Sequence, residues 1–388
     1  MPSIRFRGFD DAWEQRKAKE LFVSTADKGY PELPVLSATQ DRGMIRRDEN
    51  SINIFHDKKN EDGYKRVLPG QFVIHLRSFQ GGFAHSAIEG ITSPAYTVFG
   101  FSEPEKHDSE YWKYVFTSKS FIQRLETVTY GIRDGRSISY EEFLTLGFVY
   151  PSKAEQTAIA RYLDKLSDLI TLHQRKFEKL TNVKKSILEK MFPRNGSCYP
   201  EIRFKGFTDP WEQRKFGEVA TFINGRAYSQ PELLSSGKYK VLRVGNFYTN
   251  DSWYYSDLEL GEKYYADYGD LLYTWSATFG PHIWLGDRVI YHYHIWKISL
   301  SDQLEKQFAV QLLEQDRANI LSSKNGSTMV HITKEGMEQK DVIIPPSTKE
   351  QQKIGAFFSQ LDDLITLHQR ELEKLQSIKK ALLEKMFV

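Results

Sequence analysis

Two stretches of the chain, 18–150 and 216–345, contain many side chains whose chemistry suits nucleic acid. Arginine, asparagine and glutamine bind guanine and adenine edges through paired hydrogen bonds, whereas hydroxyl and basic groups bind phosphates. The candidates in the first stretch are Arg42, Arg46, Arg47, Arg77, Ser78, Gln80 and His85. The candidates in the second stretch are Arg226, Tyr228, Arg243, Asn246, Tyr248, Trp275, Ser276, His282, His292 and His294. These residue types make nucleic acid a candidate ligand of both stretches.

The charge of the two stretches argues in the other direction. Residues 18–150 hold 16 Lys and Arg against 18 Asp and Glu, or −2, and residues 216–345 hold 12 against 16, or −4. A protein that binds DNA alone usually has a basic footprint, and any soluble α/β domain of this size has as many Arg, His and Tyr. Two explanations stay open: the basic groups gather on one face of each stretch, or another subunit supplies much of the phosphate binding.

Motifs for catalysis are missing from the 388 residues. The sequence has no P-loop, no HExxH and no zinc-ligand spacing, and its only Pro-Pro pair, Pro345-Pro346, does not belong to a DNA amino-methyltransferase tetrad. The single Cys198 cannot form an internal disulfide. We therefore predict recognition without catalysis, with no catalytic residue, metal or cofactor in this chain. The absence of a long apolar run and of a signal peptide predicts a cytoplasmic protein without a membrane partner.

One long segment occurs twice, at 153–192 and again at 348–387, with 22 identities in 40 positions. Neither copy contains proline, and Pro-Ser-x-x-Glu precedes or opens each, which is the pattern of a capping box. Forty residues at a rise of about 1.5 Å would make a helix of roughly 60 Å. The repeat therefore predicts two long helices of the same design.

Apolar residues recur at alternating spacings of three and four along both copies, which is the pattern of a coiled-coil seam. The simplest partner of each helix is the other copy. Lys184 and Lys379 interrupt the seam, and we expect them to extend to solvent. His173 and His368 are predicted to set the register, with a metal or catalytic pair as the alternative. The predicted seam consists of Leu163, Leu166, Ile170, His173, Phe177, Leu180, Ile187, Met191, Phe358, Leu361, Ile365, His368, Leu372, Leu375, Leu382 and Met386.

A shorter repeat precedes each variable stretch, since 4–17 and 202–215 share 11 of 14 residues. We expect its WEQRK segment to pack on the ends of the long helices, with phosphate contact as the alternative. Within the stretches the predicted elements follow the same order: a strand, a turn, a second strand, a helix and a loop with Gly-Arg-Ser or Gly-Ser. The predicted ranges are 70–76, 79–82, 95–99 and 109–127 in the first stretch, and 269–275, 278–281, 288–296 and 302–321 in the second.

The fold class predicted from this order is α+β, with two similar α/β domains separated by two long helices. The predicted segments are 1–150, 151–193, a linker at 194–201, 202–345 and 346–388.

The layout resembles the specificity subunit of type I restriction-modification systems. The resemblance covers essentially the whole chain and is carried by Pro-Ser-x-x-Glu-Gln at 151–156 and 346–351, by the identical DLITLHQR segments, by the LEKMF ends and by the twin WEQRK segments. It implies that the variable stretches are target recognition domains, each recognising one half of a split double-stranded DNA site. It further implies that the helices form an antiparallel coiled coil that sets the spacer and docks the modification subunits.

The resemblance also implies a division of labour. Two modification subunits would supply S-adenosylmethionine and adenine methylation, and two restriction subunits would supply Mg and the ATP-driven translocation and cleavage. DNA clamped between this chain and its partners would account for the acidic stretches. Two other classes remain as alternatives: a methyltransferase or nuclease that works alone, and a structural coiled-coil adaptor that binds only proteins.

Overall fold

A computed structural model of the chain describes residues 2–49, 58–130, 137–194, 196–248, 250–276, 278–322 and 332–387. The chain forms two compact units, the first from 1–174 with 370–388 and the second from 175–369. The Gly-Ser loop predicted in the second stretch, and most of the Gly-Arg-Ser loop predicted in the first, lie outside the described residues. In the part of the chain that is described, no helix combines the length and the apolar character needed to cross a membrane.

The first unit contains a four-stranded antiparallel sheet whose strand order is β2-β9-β6-β7. The described strands are β1 (Glu14–Lys17), β2 (Phe22–Thr25), β3 (Leu36–Ala38), β4 (Met44–Arg46), β5 (Lys65–Val67), β6 (Phe72–Ile74), β7 (Ala84–His85), β8 (Gly90–Thr92), β9 (Thr97–Phe101), β10 (Thr129–Tyr130), β11 (Ser137–Ile138) and β12 (Gly147–Tyr150). The helices are α1 (Ala18–Leu21), α2 (Ser78–Gly81), α3 (Ser109–Thr117), α4 (Lys119–Leu125), α5 (Tyr140–Phe143) and the long α6 (Lys153–Met191).

Two sequence predictions for this unit need correction. The single helix predicted at 109–127 is broken at Ser118, because the Ser118 hydroxyl accepts from the Phe121 amide and starts a new helix, α4. The turn predicted at 79–82 is the short helix α2, closed by a hydrogen bond from the Gly82 amide to the Ser78 carbonyl at 2.8 Å.

The second unit repeats the four-stranded antiparallel sheet, in the order β14-β21-β18-β19, and adds a sheet in the order β16-β15-β20-β17. Its described strands are β13 (Glu212–Lys215), β14 (Ala220–Asn224), β15 (Tyr239–Leu242), β16 (Tyr254–Ser256), β17 (Tyr265–Ala266), β18 (Leu271–Thr274), β19 (Gly280–Ile283), β20 (Val289–Tyr291), β21 (Ile295–Leu300) and β22 (Asp341–Ile344). The helices are α7 (Phe216–Val219), α8 (Lys306–Ser322), α9 (Lys334–Glu338) and α10 (Thr348–Met386).

The single strand predicted at 288–296 is wrong. A turn at 292–294 divides it into β20, which pairs with β15, and β21, which pairs with β14 and β18. The Ile295 amide closes this turn by donating to the His292 carbonyl at 2.9 Å. Each flanking strand buries apolar residues in its own sheet, so residue types typical of strands occur on both sides of the turn.

The two units therefore contain one sheet built twice. Strands β2, β9, β6 and β7 of the first unit correspond in order to β14, β21, β18 and β19 of the second. The short EQRK strands are equivalent as well, since β1 pairs with β12 and β13 pairs with β22, both antiparallel. This confirms the prediction of two similar α/β domains in an α+β fold.

Each long helix contributes its first half to one unit and its second half to the other. In the first unit the Lys379 ammonium donates to the Ser167 hydroxyl at 2.8 Å. In the second unit Lys184 pairs with Asp362 at 2.5 Å. In both units the beginning of one helix packs against the end of the other, so the pairing is antiparallel and within the chain. The prediction that Lys184 and Lys379 extend to solvent is wrong, because both ammonium groups bind the facing helix.

All the predicted seam residues are buried or half-buried. Leu163 and Met386 lie in the aromatic core of the first unit, and Leu188, Met191 and Phe358 lie in the core of the second. Side chains of the two long helices therefore form part of the core of each unit.

An arginine of each short repeat binds the beginning of a long helix. Arg5 donates to both carboxylate oxygens of Glu155 at 2.7 and 2.8 Å, and Arg203 binds Glu350 in the same way. Both carboxylates are almost fully buried, which is a role that the capping-box prediction did not include. The next residue, Gln156, donates to the Pro151 carbonyl and accepts from the Asp108 amide. These contacts attach each domain to its helix through residues of the repeats.

Candidate nucleic-acid interface

In the first domain a turn at 39–43 meets helix α2. The side-chain amide nitrogen Nε2 of Gln40 donates to the side-chain oxygen Oε1 of Gln80 at 3.1 Å, and both side chains are exposed. Gly43 fixes the turn, because its φ of 68° is left-handed and a Cβ there would lie 2.3 Å from the His85 carbonyl oxygen. The exposed Arg42 lies on this turn, and the exposed Arg77 immediately precedes α2. The structure thus brings the segments that carry Arg42, Arg77 and Gln80 together.

Two predicted residues of this domain have structural roles. Ser78 is fully buried, and its hydroxyl accepts from the His75 amide at 2.8 Å. His85 is also buried, packed on the Phe72 ring, and burial lowers the pKa of its imidazole. Neither side chain is placed to contact a ligand directly.

The adjacent Arg46 and Arg47 lie at the end of strand β4. Arg46 is exposed and lies 3.6 Å from Asp48. Arg47 is half-buried, and its Nε and Nη1 atoms are buried without a hydrogen-bond partner in the described part of the chain.

In the second domain the turn at 292–294 is the centre of an aromatic cluster. The ring centroids of His292 and Tyr293 are 4.4 Å apart, and those of Tyr293 and His294 are 3.9 Å apart. The Trp275 indole nitrogen donates to the Tyr293 carbonyl at 2.9 Å, and its ring meets His294 edge-on at 5.0 Å. Ser276 follows at the end of β18 and is half-buried.

Two arginines border this cluster, and each lies over a tyrosine ring. Arg226 lies 5.1 Å from the centroid of Tyr228, whose ring stacks on His292. Arg226 also forms an ion pair with Glu232 at 2.5 Å, which lowers the pKa of Glu232 to about 2. Arg243 lies 4.2 Å from the centroid of Tyr254. Stacking on a tyrosine ring therefore helps to fix the orientation of each guanidinium group.

A second group lies at the loop after β15. The Tyr248 hydroxyl lies 3.3 Å from Nε2 of His282, and the His282 ring stacks on Phe247 at 4.1 Å. Asn246 instead holds the loop, since its amide donates to the carbonyls of Asn250 and Ser252. The structure thus brings Tyr228, Trp275, His292 and His294 together around the turn at 292–294 and places Tyr248 with His282 in a second group, with Asn246 as internal support.

The histidines of both groups are neutral at physiological pH. Burial lowers the pKa of His282 and of His292 to about 4, and it also lowers the pKa of His294. A neutral imidazole can donate and accept hydrogen bonds but brings no charge to a phosphate. The cluster therefore suits base edges and stacking, whereas the arginines suit phosphates.

Comparison with known proteins identifies the chain's relatives. Residues 208–377 match the family model described as the type I restriction modification DNA specificity domain. This part of the chain belongs to the family of type I restriction modification DNA specificity domains. The putative type I restriction enzyme MjaX specificity subunit of Methanocaldococcus jannaschii is 21% identical over 401 aligned residues, which cover 96% of this chain and 92% of that protein.

Two solved structures share the fold. The S subunit of a type I restriction-modification system from M. genitalium superposes with a TM-score of 0.57 at 15% identity, covering 100% of this chain and 99% of that one. A chain from a study of complex assembly and conformational transition of the type I R-M system gives a TM-score of 0.54 at 14% identity, covering 97% and 98%.

The sequence predictions missed three residues of the candidate interface: Gln40, Tyr254 and Tyr293. Tyr293 is 39% exposed between the two histidines of the turn. It lies in the single strand predicted at 288–296, and only the turn that divides this strand shows that its ring is exposed. Gln40 and Tyr254 lie in segments without a recognisable pattern, so no sequence signal pointed to them.

Proposed function

We propose that each domain recognises one half of a split double-stranded DNA sequence and that the paired helices set the distance between the halves. The matched DNA specificity domain and the similarity to a type I restriction enzyme specificity subunit over 96% of the chain support a role as the DNA sequence-recognition subunit of a type I restriction-modification system. The observation that carries the finer proposal is the sheet built twice, in the same strand order, with different exposed side chains on its loops. One scaffold with two surfaces suits a target with two unlike halves.

The long helices are the proposed docking sites of two modification subunits. Leu169 and Leu172 of α6 are 43% and 45% exposed, and Leu364 and Leu367 of α10 are 45% and 52% exposed. These leucines occupy the same places in the two DLITLHQR segments. Exposed apolar side chains at repeated positions favour a partner that binds each helix in the same way. Two equal faces support a stoichiometry of two modification subunits.

The proposed complex divides recognition from chemistry. This chain would position two modification subunits, which bind S-adenosylmethionine and methylate adenine in each half-site. Two restriction subunits would then use ATP and Mg to translocate and cut unmodified DNA. The chain itself would have no catalytic residue and would act in the cytoplasm, where its DNA target lies.

Methylome sequencing of cells with and without this gene, in the presence of the modification partner, tests the proposal. The expected result is a split adenine-methylated motif that disappears with the gene. An unchanged methylome would overturn the proposal and favour a coiled-coil adaptor that binds only proteins. Methylation of DNA by the purified chain alone with S-adenosylmethionine would instead favour an independent methyltransferase.

A further inference from the structure

Gln40 and Gln80 form a joint hydrogen-bonding surface at the exposed edge of the first domain. One amide donates to the other at 3.1 Å, although 40 residues separate them in the chain. The bond uses one donor of Gln40 and the oxygen of Gln80, so the pair retains the Gln40 oxygen as an acceptor and the Gln80 NH2 as a donor. Turning both amides over exchanges the two roles and leaves the same combination.

The close approach of the two glutamines is built into the backbone. A Cβ on Gly81, the residue after Gln80, would lie 3.2 Å from both Cβ and Cγ of Gln40. A larger residue at this position would therefore press on the Gln40 side chain. The turn that carries Gln40 is in addition closed by the Thr39 hydroxyl, which donates to the Gly43 carbonyl at 2.8 Å. The two amides are thus held together before any ligand binds.

The second domain places a different polar pair between the corresponding segments. The loop after β15 carries Tyr248, and the hairpin β18–β19 carries His282, whose Nε2 lies 3.3 Å from the Tyr248 hydroxyl. In the first domain the turn after β3 carries Gln40, and the connection between β6 and β7 carries Gln80. Gln80 lies in α2 before β7, whereas His282 lies within β19, so the two pairs join comparable segments at different places. Polar pairs that differ between the domains in this way suit specificity-determining contacts.

We propose that Gln40 and Gln80 together recognise an adenine in the half-site of the first domain. An adjacent donor and acceptor match the N7 and N6 positions of adenine in the major groove, whereas guanine offers two acceptors there. This inference rests on the proposed function, because it assigns a base to a domain taken to recognise DNA. The inference assigns recognition of the base to the two glutamines. The flanking Arg42 and Arg77 are assigned to phosphate contacts.

Competition binding tests the pair, using the full chain with its modification partner and duplexes that carry each base pair at every half-site position. Q40A and Q80A should each reduce the preference for adenine at one first-half position by about fivefold to 150-fold, the range expected for a bidentate contact. The double variant should lose little more than either single variant, because both remove one shared contact. Q15A, which removes an exposed glutamine on β1 of the same domain, should change nothing.

Q80E separates recognition from misfolding. The variant has nearly the same shape but replaces the donor by an acceptor, so the preference should move from adenine towards a base that donates, such as cytosine through N4. Recognition of the second half-site should remain. Unchanged base preferences in Q40A, Q80A and Q80E would overturn the inference, and so would a change at a position that is not adenine. A wild-type chain without any split motif would instead overturn the proposed function itself.

Discussion

Arg203 binds Glu350 through two parallel hydrogen bonds, from Nε at 2.7 Å and from Nη2 at 2.9 Å, across 147 residues of sequence. Only 1% of the Glu350 side chain is exposed. Arg5 and Glu155 repeat the arrangement in the first unit. The contact joins a short repeat to the first turn of a long helix, and we expect it to govern how firmly each domain is attached.

R203A should lower the free energy of unfolding of the second unit by roughly 3–5 kcal/mol, because it leaves a buried carboxylate unpaired. R203K should lower the free energy of unfolding by less, since lysine retains the positive charge and loses only the bidentate hydrogen-bond geometry. Urea denaturation of the full chain measures both. The double variant R203M/E350M should be more stable than R203A, because no buried charge remains. Equal stability of R203A and the wild type would contradict the argument.

Substitution of the equivalent seam lysines should have opposite effects. The Lys379 ammonium lies 5.6 Å from the centroid of the Tyr114 ring, and burial lowers its pKa. The charged side chain therefore destabilises the folded chain. K379M should therefore raise the melting temperature. K184M removes the ion pair with Asp362 at 2.5 Å. It should lower the free energy of unfolding by up to about 1 kcal/mol and therefore lower the melting temperature slightly. Thermal melts of both variants would refute this if the shifts had the same sign.

A seven-residue insertion after the DLITLHQR segment of both helices should lengthen the DNA spacer. Seven residues add about 10.5 Å to each helix, which corresponds to at most about three base pairs. Both half-sites should keep their sequence, as methylome sequencing would show. Insertion into one helix only is the control, because it displaces one partner of the Lys184–Asp362 and Lys379–Ser167 contacts and should destabilise the pair. A changed half-site sequence would count against the spacer role.

Acidification should destabilise the second unit through His282. Burial holds its pKa at about 4 in the folded chain, below the usual 6.5, so the unfolded chain binds the extra proton between these values. Stability is therefore full above about pH 6.5 and falls as the pH drops towards 4, at about 1.4 kcal/mol per pH unit for one group. H282F retains the stack on Phe247 and removes the titration, so its unfolding free energy should depend less on pH. Parallel curves for variant and wild type between pH 7 and 5 would disprove the assignment.

The sequence predicted the features that follow from local spacing. The three-and-four periodicity predicted two long helices that pair with each other, and the repetition of elements predicted two similar domains. The antiparallel direction of the pair was implied only by the family resemblance. Features that depend on residues distant in sequence were not accessible: Glu350 could not be matched with Arg203, nor Gln40 with Gln80. The turn at 292–294 was missed because β20 and β21 both begin with buried apolar residues and read as one strand, although the strands belong to different sheets. The base-contacting roles of the candidate residues stay a prediction.

The division of the chain into units determines the order in which a nascent chain can fold. The second unit comprises one continuous run, 175–369, whereas the first needs 370–388 as well. Met386 and Phe387 are buried in the core of the first unit, so that core cannot close until residues 386 and 387 have left the ribosome. The domain translated first must therefore be completed last. Termination between residues 370 and 385 would leave its aromatic core open while the second unit is already intact.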